Sequence, residues 1–326
     1  MEAVEVEAVE IVEAGAGKLA TVGADIYEAY LAELDACEGT RRSYRAALRR
    51  WSSWLDARGL GALDADRGTV IAYREELAAA GLKPSTVNAY LSAVRSFYRW
   101  TAGRKIFPNI ADGVRGLKAG TEGAKDALTH DQALEVLDVP GADVKAKRDR
   151  AMIALMLERG LRTVEVARAD IGDLRQRGGE AVLYIQGKGR EAKDNFVILS
   201  DHVLGLIYDY LNERRESDPA APLFASCSNR DPGGRMTTRS ISRVVKDRLE
   251  ACSLSSARLT AHSLRHTCVT FCLLGGATVQ EAQAVARHAN ISTTMVYAHN
   301  IDRMDGAGEA CIDSYLETGE RRRARA

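Results

Sequence analysis

Residues 181–199 read AVLYIQGKGREAKDNFVIL. Two short β-branched and aromatic runs, AVLYIQG and NFVIL, flank a polar connection that contains glycine, which is the pattern of a β-hairpin. Strand residues alternate faces with a period of two, whereas the other apolar runs of this chain follow the three-four spacing of a helix stripe. No second β region and no long-period repeat is legible among the 326 residues. The expected fold class is mainly α with a small antiparallel β region.

C-terminal to the hairpin, SDHVLGLIYDYLNERR, TTRSISRVVKDRLEA, HSLRHTCVTFCLL, TVQEAQAVARHA and STTMVYAHN read as helices. N-terminal to it, RDRAMIALMLERG is a buried helix stopped by Gly160, because a residue free to adopt positive φ suits the position just past a helix end. Thr163 can cap the helix that follows, and Thr129-x-x-Gln132 is a capping box leading into ALEVLD. GLKAGTEGAKD, residues 116–126, holds three glycines and few apolar residues, so a domain boundary belongs there.

Before that boundary the pattern is helical throughout. IYEAYLAELDA makes a first helix, and Thr40 can cap a second, RRSYRAALRRWSSWLDA, in which Tyr44, Leu48, Trp51 and Leu55 form the buried stripe. Its other side carries Arg41, Arg42, Arg45, Arg49 and Arg50. TVIAYREELAAAGL is a third helix, and after Pro84 and a Ser85 cap, TVNAYLSAVRSFYRWTA is a fourth.

Net charge is zero, but it is segregated along the chain. Residues 1–36 carry nine acidic residues and one lysine, residues 37–118 carry fifteen Lys/Arg against seven Asp/Glu, and residues 119–326 balance at twenty-nine of each. A basic module beside a neutral one is what a nucleic-acid partner would select, and a solvated helix surface is the competing explanation. No apolar run approaches the roughly 18 residues that span a bilayer, and the opening MEAVEVEAVE is acidic where a signal peptide is basic. A cytoplasmic protein with no membrane partner is expected. The six cysteines, at 37, 227, 252, 268, 272 and 311, form no CxxC pair and read as reduced structural thiols.

Several polar residues sit where a purely structural protein has little use for them. Arg162 and Glu165 fall in GLRTVEVARA, Lys188 in the hairpin connection QGKGRE, His262 and Arg265 three apart on one helix face in TAHSLRHT, and His288 nine residues before Tyr297 in ARHANISTTMVYAHN. Each alone reads as a surface charge, a helix-terminus histidine or a packing tyrosine. Taken in order, GLRxxE, a hairpin GKG, HxLRH and RHxxxxTTxxYxH resemble the tyrosine recombinases, or phage integrases, over nearly the whole second half of the chain. KPSTVNAYLSAVRSFYRW also resembles the last long helix of that family's core-binding domain.

The resemblance implies a four-helix, SAM-like core-binding domain followed by an α+β catalytic domain. Residues 1–20 then form an acidic tail, 21–116 the DNA-binding domain, 117–126 a linker, 127–306 the catalytic domain, and 307–326 a C-terminal helix and basic tail offered to a neighbouring protomer. It implies a site-specific recombinase that uses neither metal nor cofactor and forms a 3′-phosphotyrosyl bond and a Holliday junction. Its partners would be double-stranded DNA with inverted-repeat half-sites and three further copies of the chain, a homotetramer on two DNA sites. Tyr297 would be the nucleophile, Arg162 and Arg265 the phosphate clamp, Lys188 the general acid, and His262 and His288 hydrogen-bonding groups, with Glu165 supporting. Arg41, Arg42, Arg45, Arg49, Lys83, Arg95 and Arg99 would face DNA.

The sequence also departs from the family pattern. Arg287 stands where glycine is usual and reads as an added phosphate contact or a surface charge. Ala261 stands where proline is frequent. The hairpin turn is about two residues longer than the commonest form, which keeps Lys193 as a second candidate acid. Tyr315, in DSYLETG, is the other tyrosine near the C-terminus. A type IB topoisomerase-like enzyme, a catalytically silent DNA-binding regulator, and a metal hydrolase built on the i, i+4 pair His262 and His266 are the alternative readings.

Overall fold

A computed structural model of the protein describes residues 23–118, 126–187 and 192–304, together with 312, 315 and 316. Lys188, the acidic stretch 1–20, residues 119–125 and most of 307–326 lie outside the described residues. The chain divides into two compact units between residues 122 and 123.

The first unit is built from helices α1 (Gly23–Glu33), α2 (Glu38–Asp56), α3 (Arg67–Ala79) and α4 (Pro84–Gly103). Leu48, Trp51 and Leu55 of α2 are buried as their spacing requires, and Tyr44 is half-buried. The core is aromatic: the Trp51 ring stacks on Trp54 at 5.5 Å and meets Tyr73 edge-on at 4.9 Å, and the buried Tyr98 hydroxyl donates to the Ala62 carbonyl at 2.8 Å. Two of the expected caps are corrected. Cys37, not Thr40, precedes α2, and it makes no side-chain cap bond. At α4 the N-cap is Lys83 with Pro84 as first helical residue, a position where proline's missing N–H costs nothing, so Ser85 lies inside the helix.

The second unit opens with α5 (His130–Leu137), entered through the Thr129–Gln132 capping box, and α6 (Val144–Glu158). After α7 (Thr163–Arg168) and a 3-10 turn at Ile171–Asp173 come strands β1 (Leu174–Arg177), β2 (Glu180–Ile185) and β3 (Asn195–Ile198) in an antiparallel sheet ordered β1-β2-β3. Leu183 faces Leu174 on one side and Val197 on the other. The expected hairpin is β2–β3, and β1 is an addition to it. LRQR is too short and polar to read as a strand, but the Gly178-Gly179 pair beside it, with φ of +60° and +89°, is a two-residue hairpin turn of the kind that signals one.

Helices α8 (Asp201–Arg214), α9 (Thr238–Ala251), α10 (Ala261–Leu274), α11 (Val279–Ala286) and α12 (Ser292–Met304) complete the unit. Every residue of α6 from Ala151 to Leu157 is buried, so this helix is the hub against which Ile207 of α8 and Leu264 of α10 pack. At its end Gly160 adopts φ +61°, and a Cβ there would lie 3.3 Å from Cys268 Sγ on α10. Gly160→Ala is expected to lower stability by roughly 1–2 kcal/mol, the cost of a side chain in left-handed backbone, read as a lower urea midpoint at unchanged slope. An unaltered midpoint would show that the turn tolerates a side chain.

Candidate active site

The site begins where α6 stops. Beyond Gly160 the chain buries Leu161 completely and turns extended at Arg162, which serves as N-cap of α7. Thr163, the expected cap, is the first helical residue. The backbone N–H of Arg162 is satisfied instead by Glu165, whose Oε2 accepts it at 2.8 Å while Oε1 accepts from the Arg162 guanidinium at 2.8 Å. Glu165 is only 1% exposed. Burial alone would raise its carboxyl, but the charge of Arg287, the Arg162 N–H and the Arg162 charge outweigh it and hold the group below the usual range.

Helix α10 supplies the second part. His262 and Arg265, three residues apart, share a face, and with Arg162, Thr238, Ser242 and Lys246 they line a cleft of about 680 Å³. Arg265 is 1% exposed and donates through Nη1 to the Gly160 carbonyl, while its buried Nη2 has no hydrogen-bond partner among the described residues. Burial first, and then the neighbouring charges of Arg162 and Arg287, push this guanidinium down to about 9. The site is therefore short of negative charge. One turn on, the His266 ring lies 4.7 Å from that of His262 and 5.0 Å from that of Tyr297.

The α11–α12 connection completes the arrangement. Helix α11 stops at Ala286, short of the expected end, and Arg287 takes a left-handed conformation with φ +52°. No glycine or asparagine marks this stop, so nothing local in the sequence announces it. Arg287 is neither a surface charge nor, in the free protein, a group held open for phosphate. Its side chain is 9% exposed, and Nη2 donates to Glu165 Oε2 at 3.0 Å and to the Gly160 carbonyl at 2.8 Å. His288 follows with Nδ1 2.9 Å from the hydroxyl of Thr294, which is fully buried. Burial, joined by the charges of Arg265, Arg162, His262 and Arg287, lowers its imidazole to about 4, so the ring is neutral at neutral pH. Tyr297, half-buried against Val269, Ala282 and Ala286, sits with its ring 6.4 Å from that of His288 and nearly parallel to it. Burial raises its phenol to about 12 although Arg265 pulls the other way.

Arg162, Glu165, Arg265, His288 and Tyr297 thus form one connected group, with His262 on the same cleft. His266, read from the sequence only as half of a metal-binding pair with His262, and Arg287, read as an added phosphate contact or a surface charge, lie against this group. Lys193 is ion-paired: its Nζ binds Asp170 at 2.6 Å and also Asp173, and Arg235 pairs with the same Asp170. Tyr315 is 77% exposed, in contrast to Tyr297. Among the described residues no group of three His, Cys, Asp or Glu side chains is gathered to hold a metal ion, and no helix is long and apolar enough to cross a membrane.

In the first unit the basic residues divide into two sets. Arg41 donates to the Leu34 carbonyl at 3.1 Å, Arg45 forks onto Glu28 with two contacts of 3.0 Å, and Arg95 donates to the Val114 carbonyl. Arg42 approaches Glu38 at 3.9 Å with both side chains exposed, and Arg49, Lys83 and Arg99 are exposed.

The sequence profile of the phage integrase family matches residues 126–304, and that of the phage integrase N-terminal SAM-like domain matches residues 24–105. A tyrosine recombinase XerD of Caulobacter vibrioides is 32% identical over 277 residues, 82% of this chain and 88% of that one. A tyrosine recombinase XerC of Pelobacter propionicus is 29% identical over 274 residues, 81% and 86% of the two chains. Among solved structures, the post-cleavage complex of XerH site-specific recombinase bound to palindromic difH substrate aligns with a TM-score of 0.67 at 19% identity, covering 82% of this chain and 80% of that one. The Tn1549 transposon integrase in complex with transposon right end DNA aligns at 0.68 and 16%, covering 86% and 98%. At such identities the structures speak for the fold, and the profiles and the XerD likeness carry the family. The chain belongs to the phage integrase family of tyrosine recombinases.

Proposed function

We propose that this site-specific recombinase cleaves and rejoins DNA through Tyr297, with Arg162 and Arg265 as the clamp on the scissile phosphate. The observation that carries the reading is Arg265, a buried guanidinium with an unpartnered Nη2 on the cleft that Arg162 and His262 also line. A phosphodiester supplies the anion this group lacks, and planar forks match both its non-bridging oxygens and the charge that grows there in the transition state. His288 adds a neutral donor. In the tautomer in which Nδ1 accepts from the Thr294 hydroxyl, the ring proton sits on Nε2 and is available to a phosphate oxygen.

Tyr297 is a phenol at neutral pH, so attack needs a proton acceptor as well as an aligned phosphorus. In the first step the Tyr297 Oη–phosphorus bond forms and the bond from phosphorus to the 5′-oxygen breaks. His262 takes the phenolic proton, and Lys188 gives one to the departing 5′-oxygen. The reverse step, with a 5′-hydroxyl of another strand, rejoins DNA at no net loss of phosphodiester bonds, so no nucleotide cofactor is consumed. Two rounds, through a Holliday junction, exchange two duplexes. Each site breaks one strand, which calls for a homotetramer on two DNA sites made of inverted-repeat half-sites. The exposed Ile312, Tyr315 and Leu316 provide apolar surface for contact between protomers. The exposed Arg42, Arg49, Lys83 and Arg99 are offered to the DNA backbone, whereas Arg41, Arg45 and Arg95 hold their own unit together. DNA is a cytoplasmic substrate, and the protein is placed there.

Tyr297→Phe should bind DNA as the wild type does and form no covalent complex, because only the hydroxyl is lost. An adduct that survives denaturation in this variant would remove Tyr297 from its role and reopen the silent-regulator reading.

The two lysines separate by leaving group. Lys188→Ala should be rescued by a duplex with sulfur at the 5′-bridging position, since a thiolate departs without an acid. Lys193→Ala should instead lower the urea midpoint, because Asp170 and Asp173 lose their shared cation, and should gain nothing from the sulfur. Rescue of Lys193→Ala alone would move the acid to that residue.

DNA binding and assembly are tested together by light scattering and salt titration. Arg49→Ala with Lys83→Ala should weaken single-site binding and reduce the slope of log affinity against log salt by about two, one per lost phosphate contact. The unaltered chain should be monomeric alone and tetrameric on two sites. An unchanged slope would remove these residues from the interface, and a stable DNA-free tetramer would contradict the assembly.

A further inference from the structure

Arg287 lies in backbone that side chains other than glycine rarely adopt, and its side chain is turned inward. Strain of that kind persists only where surrounding contacts over-determine it. Most side-chain contacts of Arg287 lead to the parts that carry the phosphate arginines. Through Nη2, Arg287 binds both Glu165 and the Gly160 carbonyl, which also accepts from Arg265, and its own carbonyl accepts from Arg162 Nη2 at 3.4 Å. Its Nη1 donates to the Val285 carbonyl at 2.7 Å and to that of Arg159 at 3.4 Å, which ties the α11 end to the α6 end.

We propose that Arg287 is a positioning residue of the recombinase site, a second cation on buried Glu165 that locks the carboxylate and the Gly160 carbonyl so that Arg162 and Arg265 are held ready for phosphate. This rests on the assignment of Arg162 and Arg265 as the clamp. Glu165 accepts from the Arg162 backbone and guanidinium with one oxygen each and needs a further donor on Oε2, which Arg287 supplies. A lone Arg162 would have to divide its guanidinium between compensating Glu165 and gripping DNA. With Arg287 present, Glu165 keeps a cation when Arg162 turns to the phosphate.

The charged groups facing Glu165 are Arg162 from its own helix, Arg287 from the α11 end and Arg265 from α10; His288 feels the same three arginines. Arg287 lowers the Glu165 carboxyl, so its removal raises it. A carboxylate whose ionised form is needed supports activity above its pKa and loses it as pH falls through that value. Loss of Arg287 therefore moves the acid limb of the cleavage profile upward.

The test uses full-length protein and a duplex selected from random sequence by covalent capture on the unaltered enzyme, in single-turnover cleavage across pH. Arg287→Gly, which relieves the backbone as it removes the guanidinium, should cleave about 10- to 100-fold more slowly at neutral pH with DNA affinity and salt slope unchanged, and its acid limb should move to higher pH. Arg287→Lys should keep the acid limb near that of the parent, because a cation remains beside Glu165. Adding Glu165→Gln to Arg287→Gly should slow cleavage further at neutral pH and remove the displaced acid limb, which identifies Glu165 as the group that titrates. Arg287→Asn, which also tolerates left-handed backbone, repeats the test if the glycine variant folds poorly.

A parent-like rate and acid limb in Arg287→Gly would overturn the proposal. So would a weaker affinity with a salt slope reduced by about one, which would make Arg287 a direct phosphate contact. Failure of the unaltered enzyme to capture any duplex through Tyr297 would instead overturn the reading of the site on which the proposal rests.

Discussion

A carboxylate taken out of water must meet its countercharges where it lies, or the penalty reaches several kcal/mol. Glu165 is in that position at the junction of three elements: the end of α6, the start of α7 and the turn between α11 and α12. Its donors come from Arg162 and Arg287, and Arg287 in turn shares the Gly160 carbonyl with Arg265. This one buried anion thereby relates segments that the chain makes far apart. Just past the end of α6, Gly160 combines left-handed backbone and a close approach to Cys268 with a carbonyl that is the common acceptor for two guanidinium groups.

Around Glu165 the protein assembles three arginines against one carboxylate. Burial and mutual repulsion leave Arg265 with a guanidinium weakened to about 9 and an Nη2 without a partner. Burial, joined by the same positive field, keeps His288 neutral, and Arg265 works against the burial that makes Tyr297 a weak acid. Such a site is incomplete electrostatically rather than sterically. A phosphodiester would satisfy the open donor and reduce the repulsion in one event, so substrate binding and organisation of the site are favoured together.

The first unit uses its charge differently. A net positive segment does not make every arginine a DNA contact: Arg41, Arg45 and Arg95 are occupied with a carbonyl, with Glu28 and with another carbonyl. These side chains are engaged within the unit, while Arg49, Lys83 and Arg99 are exposed at its surface. Charge counting along the sequence could not separate these sets, because pairing with Glu28 joins two helices and is not visible in either one alone.

What the amino-acid order settled by itself is what depends on neighbours three or four positions away. The stripe Leu48, Trp51 and Leu55, the Thr129–Gln132 box, the end of α6 at Gly160, the β2–β3 hairpin and the shared face of His262 and Arg265 are all of this kind, and the ordered motifs pointed to the family. The tertiary structure alone decided which polar groups meet. Arg287 reaches Glu165 across 122 residues of chain, Lys193 is drawn to Asp170 and Asp173, and the His266 ring comes to lie beside that of Tyr297. Local periodicity follows from backbone geometry, whereas the partner of a buried charge is whichever group the packed core carries to it.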